Sequence, residues 1–511
     1  MPQQETKDKR SLPMYFTSLK IKNVKSFGEN EQILSLLNND GSIAQWTLIL
    51  GDNGVGKTTL LKCLAWMVPV PAPPKHEYTE QLRIAKLLHD HKYEIEKISK
   101  ITGISKEEIL NPSELSVKIK PAMDDLSYDV EVYNKILRKG ENIKTQLFAS
   151  FSNGYQLNQI PAEVLSISMD FERISGKLEV VEPGSSEILE FNTPNLFAYG
   201  ASRHLVHKNF EKRELTDPTF NLLSDFGELY DPEQVLAYLD YAAIKEELEN
   251  KKVKNPKDKK FSSKKLLDTL KKLLADLLPD VKNAKSIIIN PPINKDGLKN
   301  EKIVEIQTDH GLISLFNISL GYQTMLSWAV DLAIRMLWLN PDSLNPLHEP
   351  AVVIIDEIDL HLHPVWQRSL KSFLISHFPK TQFICTAHSP FMAQSAELEN
   401  LCVVSRRGAE IVIENDPYVV KGWRIGQIAT SELFGLQSER SFEIEKDLND
   451  RRDILDKDVQ SQSDKSRLSE LNNELSSIPV IENEEDQKII DQIRNAAKLL
   501  KEKGMINDSD N

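Results

Sequence analysis

At 511 residues, with 40 % hydrophobic and 27 % charged side chains, the chain can bury one large core and still supply a second, smaller unit. Its formal charge of −13 excludes a protein that coats nucleic acid with its whole surface, and three dispersed cysteines (Cys63, Cys385, Cys402) exclude a disulfide scaffold or a cysteine-rich zinc site. The polar opening MPQQETKDKRSLP lacks the apolar core of a signal peptide, and no stretch reaches the roughly 18 to 20 apolar residues of a membrane span, so a soluble cytoplasmic protein is expected.

Alternating apolar and polar side chains predict a first strand at Tyr15–Val24, and a second, Gln45–Leu50, runs into a glycine-rich turn. Thr58–Met67 reads as a helix stopped by Pro69, Pro71, Pro73 and Pro74, since proline lacks the amide proton and clashes with the preceding turn. Mixed helix and loop is expected from about 76 to 145, followed by strands at Glu163–Phe171, Lys177–Val181 and Asn195–Ala201. Residues 204–285 are helix-rich, with an amphipathic run over Pro232–Asn250. The lysine-dense stretch Lys251–Lys272 reads as a loop passing into a helix, either a solvated face or a local nucleic-acid contact in an otherwise acidic protein.

A strand pair, Lys302–Thr308 and Leu312–Phe316, leads into a long apolar helix, Tyr322–Leu339. The unbroken run Ala351–Ile355 has the pattern of a strand buried on both faces, as does Gln382–Thr386. A further strand pair is expected at Leu401–Ser405 and Glu410–Glu414. From about 438 the composition turns acidic, with Leu448, Leu455, Leu468, Leu471 and Leu475, then Ile489, Ile490 and Ile493, at helical spacing and a break at Pro479.

The strongest chemical signal is Gly51-Asp52-Asn53-Gly54-Val55-Gly56-Lys57-Thr58, a complete P-loop pattern between a strand and a helix. Its glycines let backbone amides turn toward an anion. Lys57 supplies charge for the β- and γ-phosphates, and the Thr58 hydroxyl can ligate Mg2+. The second signal is the apolar strand ending in Asp356-Glu357. Asp356 is placed to hold the magnesium shell and Glu357 to polarise the attacking water, because phosphoryl transfer depends on positioning and electrostatics. The roughly three hundred residues between these motifs are too many for a small GTPase and point to a nucleotide-binding head with insertions.

In the order P-loop, Ser319-Leu320-Gly321-Tyr322-Gln323, Asp356-Glu357, Asp359, Ala387-His388-Ser389, the chain resembles the ABC-type ATPase heads of the SMC and RecF group. The runs AYGASR (198–203), SLGYQ (319–323), IIDEIDLHLHPVWQ (354–367), CTAHSP (385–390) and SELFGL (431–436) are similar to those of the RecF-like ATPases of bacterial anti-phage defence, in particular the PtuA family of Septu and retron-associated Septu systems. The resemblance covers about residues 14–436 and implies an α/β ABC-ATPase head: a P-loop in a mostly parallel sheet, an antiparallel β subdomain, a helical insertion and a C-terminal helical appendage.

The implied boundaries are 14–203 for the first part of the head, with an insertion at about 70–150, then 204–300 for a helical lid, 301–436 for the second part of the head, and 437–511 for the appendage. The resemblance also implies that ATP is bound by Asn53, Gly54, Gly56, Lys57, Thr58 and Thr59, with Ser319, Gly321 and Asp359 acting across a homodimer or higher oligomer. Thr58 and Asp356 would hold Mg2+, and Glu357, Lys57 and His388 would serve catalysis. The signature departs from Leu-Ser-Gly-Gly-Gln, with Leu320 in place of a glycine and Tyr322 before the glutamine; on its own, SLGYQ also fits a helix N-cap at Ser319.

His361 and His363 lack a nearby third ligand for a metal, Arg203 closes the AYGASR strand near the expected nucleotide-sensing loop, and Gln146, Gln156 and Gln159 are undecided Q-loop candidates. No Toprim or HNH nuclease pattern follows His388. The expectation is an ATP-hydrolysing regulatory subunit whose partners are a PtuB-like HNH nuclease and, in a retron setting, a reverse transcriptase with its RNA–DNA product. The competing expectations are a RecF- or SMC-like DNA-repair ATPase that engages nucleic acid through Lys251–Lys272, and a transporter ATPase subunit, which the long insertions disfavour.

Overall fold

The computed structural model describes residues 13–67, 69–71, 117–119, 143–153, 156–161, 164–174, 177–181, 194–203, 218–223, 229–250, 263–278, 281–291, 303–340, 343, 345–396, 401–408, 410–415, 422–431, 433–434, 436, 440–457 and 460–476. Most of the expected insertion at 70–150, the lysines of 251–262 and the helical pattern of 479–493 lie outside them.

Strands β1 (Met14–Lys22), β2 (Gln32–Ser35) and β3 (Trp46–Leu50) precede helix α1 (Lys57–Trp66). A short antiparallel pair, β4 (Pro69–Pro71) and β5 (Val117–Ile119), is followed by β6 (Thr145–Asn153), β7 (Val164–Ile174), β8 (Lys177–Val181) and β9 (Leu196–Tyr199). Helices α2 (Phe220–Leu223), α3 (Pro232–Asn250) and α4 (Ser263–Leu277) lead to β10 (Ile287–Ile289), β11 (Val304–Thr308) and β12 (Gly311–Ser314). Then come α5 (Leu320–Leu339), β13 (Ala351–Ile355), α6 (Pro364–His377), β14 (Thr381–Thr386), α7 (Pro390–Ser395), β15 (Leu401–Arg407), β16 (Glu410–Asn415) and α8 (Ile425–Ala429). These elements belong to one compact unit, Met1–Phe434; a second, Gly435–Asn511, contains the paired helices α9 (Phe442–Leu455) and α10 (Gln462–Ser476).

The first unit is mixed α/β. Its main sheet has the order β16-β15-β3-β14-β13-β9, parallel throughout except for β16 on the β15 edge. Both faces are covered, which is why its strands are apolar without alternation. On β3, Trp46, Leu48 and Leu50 join one core and Ile49 the other; on β13, Val353 and Ile355 part from Val352 and Ile354 in the same way. The first core is closed by α3 to α6, with Leu236, Leu270, Leu274, Trp328 and Leu370 fully or almost fully buried. The second is closed by α1 and by an antiparallel sheet of order β2-β1-β6-β7-β8, where Phe16 and Phe151 stack with ring centroids 4.6 Å apart.

Several expectations needed adjustment. Strand β6 falls where the mixed region was expected to be closing, because Phe148 breaks the alternation of Leu147, Ala149 and Phe151. Phe148 lies on the other face of the sheet, half-buried beneath the Lys20 ammonium at 5.5 Å. Strand β12 ends at Ser314 because Leu315–Asn317 turns as a 3-10 helix that buries Leu315 ahead of α5. The helical region 204–300 also contributes β10, paired with β11. No helix among the described residues is long and apolar enough to cross a membrane.

The order of strands has one consequence for function. Strands β3, β14 and β13 are adjacent and parallel, so the segments leaving their C-terminal ends, which carry the P-loop, His388 and Asp356-Glu357, converge at one edge of the sheet.

Candidate functional site

The P-loop leaves β3 through Gly51, whose φ of +146° and close approach to β15 exclude a side chain; a Cβ there would stand 2.2 Å from the Val404 carbonyl oxygen. Gly54 at φ +78° and Gly56 at φ +103° take the left-handed backbone with which a loop can present its amides to an anion, and Gly56 is the N-cap of α1. No acidic residue occupies the first turn of α1, leaving its positive end available to an anion. Lys57 is almost fully buried and donates from Nζ to the carbonyls of Gly51 (2.7 Å) and Asp52 (2.8 Å). Burial lowers its affinity for the proton, against the opposing pull of Asp356, Glu357, Asp52 and Asp359.

Facing α1 is the end of β13. Thr58 Oγ1 donates to Asp356 Oδ2 at 2.7 Å, and Thr386 Oγ1, at the end of β14, donates to Asp356 Oδ1 at 2.5 Å. The Asp356 amide donates to the Tyr199 carbonyl at 2.8 Å, holding β13 beside β9. Glu357 has φ +47°, a conformation that costs a non-glycine residue about 1–3 kcal/mol and persists only where its surroundings impose it. Here its amide donates to Thr386 Oγ1 at 2.7 Å, and its carbonyl accepts from Arg203 Nη2 at 2.5 Å. Arg203 is buried, and desolvation lowers its guanidinium to about 10 despite the surrounding carboxylates.

Asn53, Gly54, Gly56, Lys57, Thr58, Thr59, Asp356, Glu357 and His388 line one cavity of about 350 Å³, joined by Lys25 and Ser26 from the turn after β1. Asp359 does not line it; its Oδ2 accepts from the His388 amide at 2.9 Å, tying the segment after β13 to the segment after β14. Gln367 secures the same segment by donating to the Leu362 carbonyl at 2.9 Å and accepting from Ser389 Oγ at 2.5 Å.

Ser319 and Gly321 stand elsewhere in the chain, in a separate cavity of about 420 Å³ shared with Tyr322, His361, His363 and Trp366. Ser319 occupies the N-cap position of α5, yet its side chain makes no capping hydrogen bond and is exposed. Gly321 has a packing reason of its own, since a Cβ would meet the His361 carbonyl oxygen at 2.1 Å. His361 is itself in the left-handed region at φ +64°, and His363 accepts a hydrogen bond from the Val365 amide as the N-cap of α6. Of the Q-loop candidates, Gln146 donates to Asp170 within the antiparallel sheet, and the Gln156 amide donates to Gln159 Oε1; none lines the P-loop cavity.

The donor set suits a polyphosphate with a hard divalent cation. Glycine turns at the start of a helix, a buried ammonium held by two carbonyl oxygens, and an exposed hydroxyl beside a carboxylate are groups that suit phosphate and Mg2+. Sequence reasoning missed Thr386, Lys25, Ser26 and Gln367. Lys25 and Ser26 lie outside every motif run, whereas Thr386 and Gln367 fall inside the runs CTAHSP and IIDEIDLHLHPVWQ without a residue type that marks a role of their own.

A family model described as "AAA domain, putative AbiEii toxin, Type IV TA system" matches residues 47–392. Over 93 residues the chain is 42 % identical to the "Retron Vc95 probable ATPase" of Vibrio cholerae serotype O1 biovar El Tor, covering 18 % of each protein. Over 169 residues it is 31 % identical to the Septu protein PtuA of Bacillus mycoides (strain KBAB4), covering 32 % of this chain and 22 % of the relative. The chain thus spans about a fifth of the length of these relatives, which are of the kind that the motif runs implied. Among solved structures, the SMC head domain from Thermotoga maritima aligns with 78 % of this chain and 98 % of that one at 13 % identity, with a TM-score of 0.35.

Proposed function

The chain belongs to the AAA-domain family whose model spans residues 47–392, and from that membership we propose that it is a Mg2+-dependent ATPase of a bacterial anti-phage defence complex. In this reading it dimerises around ATP and controls a partner HNH-type nuclease of the PtuB kind, with a reverse transcriptase and its RNA–DNA product as further partners in a retron setting. The observation that supports the ATPase reading is the meeting of Lys57, Thr58, Asp356 and Glu357 around one cavity, with Thr58 and Asp356 in hydrogen-bond contact. The names of the retron and Septu relatives support the defence setting.

The residues divide the work as follows. The P-loop amides and Lys57 bind the β- and γ-phosphates, trading the lysine's two carbonyl partners for phosphate oxygens. Thr58 and Asp356 would hold Mg2+, which when bound neutralises charge developing on the phosphates. Glu357, on its constrained turn, orients the attacking water and accepts its proton, while His388 faces the same cavity to contact the transferred phosphoryl group. Ser319 and Gly321 then contribute from a second subunit, since within one chain they lie in a different cavity.

Purified protein tests the reading directly. ATP cleavage should require Mg2+ and stop with EDTA; Lys57→Ala should lose nucleotide binding; Glu357→Gln should keep ATP and cleave it at no more than a small residual rate. Hydrolysis by Glu357→Gln at the parental rate would remove Glu357 from its role.

A further inference from the structure

The end of β13 is gripped from β9 by a residue that stands outside the P-loop cavity. Arg203 Nη2 donates to two successive carbonyl oxygens, Asp356 at 2.8 Å and Glu357 at 2.5 Å, and among the described residues its buried Nε has no partner. These are the two residues that would hold the cation and activate the water, and the second of them carries the positive φ of +47°. The guanidinium at that point presents two N–H donors from one nitrogen on an arm that also carries charge. It satisfies two carbonyls that turn inward together, and the nearby carboxylates Asp356, Glu357 and Asp359 offset the cost of burying its charge.

The arginine is itself held in place. Its loop begins at Gly200, whose amide donates to Asn221 Oδ1 at 2.8 Å and whose Cβ, if present, would collide with the Asn221 carbonyl oxygen at 2.8 Å. Asn221 Nδ2 donates in turn to the Ser202 carbonyl, and the Arg203 amide closes the turn onto Ala201 at 3.0 Å. A hydrogen-bonded path therefore runs from α2 through residues 200–203 to the backbone of Glu357.

We propose that Arg203 is a positioning residue for hydrolysis, one that fixes the Asp356-Glu357 turn and so sets the direction of the Glu357 carboxylate without touching nucleotide. The inference rests on the ATPase reading above. It separates turnover from binding, because the P-loop that holds the phosphates is built on a different strand, β3.

The test is steady-state ATPase kinetics of the full chain, with nucleotide binding and thermal melting measured on the same samples. Arg203→Met should lower kcat by about ten- to a hundredfold while leaving KM and ATP affinity within about threefold of the parent. Arg203→Lys, which keeps a buried cation but loses the planar fork, should recover part of that loss, and it also carries the test should Arg203→Met fail to fold. Added to Glu357→Gln, Arg203→Met should reduce the residual rate no further, because the two residues act as one unit. A parental kcat in a folded Arg203 variant overturns the inference, as does a loss confined to KM or a multiplicative loss in the double variant. A parent that binds ATP and never hydrolyses it overturns instead the ATPase reading on which the inference stands.

Discussion

Thr386 Oγ1 lies 2.5 Å from Asp356 Oδ1 and 2.7 Å from the amide nitrogen of Glu357, donating to the first and accepting from the second. One fully buried hydroxyl thus links the carboxylate proposed for Mg2+ to the residue proposed to activate water. Replacing it with valine keeps the shape and removes both bonds. Thr386→Val should cost about 1–3 kcal/mol of stability, the usual penalty for stranding buried polar groups, and should lower ATP turnover at least tenfold. Thermal melting and ATPase rates check this together; unchanged values for both would show that the hydroxyl is idle.

What the sequence revealed and what it concealed follow from how far each signal extends. The P-loop residues and Asp356-Glu357 were legible because their chemistry demands fixed spacing within one strand-turn unit. The partners that constrain them were not: Thr386 lies 30 positions from Asp356 and Arg203 lies 153 from it, so only the parallel order β9-β13-β14 brings them together. The strand at Ala351–Ile355 was read to the residue, since burial on both faces leaves an unbroken apolar run. Strand β6 escaped notice because the outward-facing Phe148 makes its pattern look continuous rather than alternating. The N-cap at Ser319 was legible as a position, whereas its uncommitted hydroxyl was visible only in three dimensions.

That hydroxyl leads to a prediction about assembly. Ser319 is exposed at the start of a 20-residue helix, whose N-terminus favours negative charge, and it lies in a cavity separate from that of the P-loop. Ser319→Arg should melt like the parent and bind nucleotide at its own P-loop, yet fail to hydrolyse it, because the bulky side chain would stand where, in the proposed dimer, a second subunit's phosphate docks. Mixed with Lys57→Ala subunits, it should regain partial activity, each mixed dimer holding one intact composite site. No recovery in verified mixed dimers, or activity in a monomer, would rule out the contribution across subunits.

The three cysteines report on the integrity of the sheet. All are buried and free: Cys63 on α1, Cys385 on β14 and Cys402 on β15. Desolvation pushes the Cys63 thiol up to about 12 and raises the other two as well. Because the thiolate is the reactive form, the folded protein at pH 8 should resist a thiol reagent, and denaturant should release three equivalents. Raising the pH toward the folded-state value increases the thiolate fraction but not access, so native labelling should stay slow. Fast modification of one thiol at pH 8 would mean that its strand or helix opens locally.

The remaining prediction concerns purpose. Relatives named as retron and Septu proteins favour defence over repair. Among the described lysines of the basic stretch, Lys264, Lys265 and Lys272 are exposed on α4, whose leucines fill the core. A solvated helix face accounts for that arrangement without nucleic acid. If the chain governs a nuclease through its nucleotide state, the partner must bind one conformation better than the other, and variants that cannot cycle should trap one output. Co-expressed with an HNH-type nuclease, the parent should therefore co-purify with it and protect cells in a plaque assay. Lys57→Ala and Glu357→Gln should both lose protection although the chain is present at normal levels. Failure to bind any such nuclease, together with ATP-dependent DNA retention that disappears when Lys264, Lys265 and Lys272 are neutralised, would instead assign the clamp to DNA.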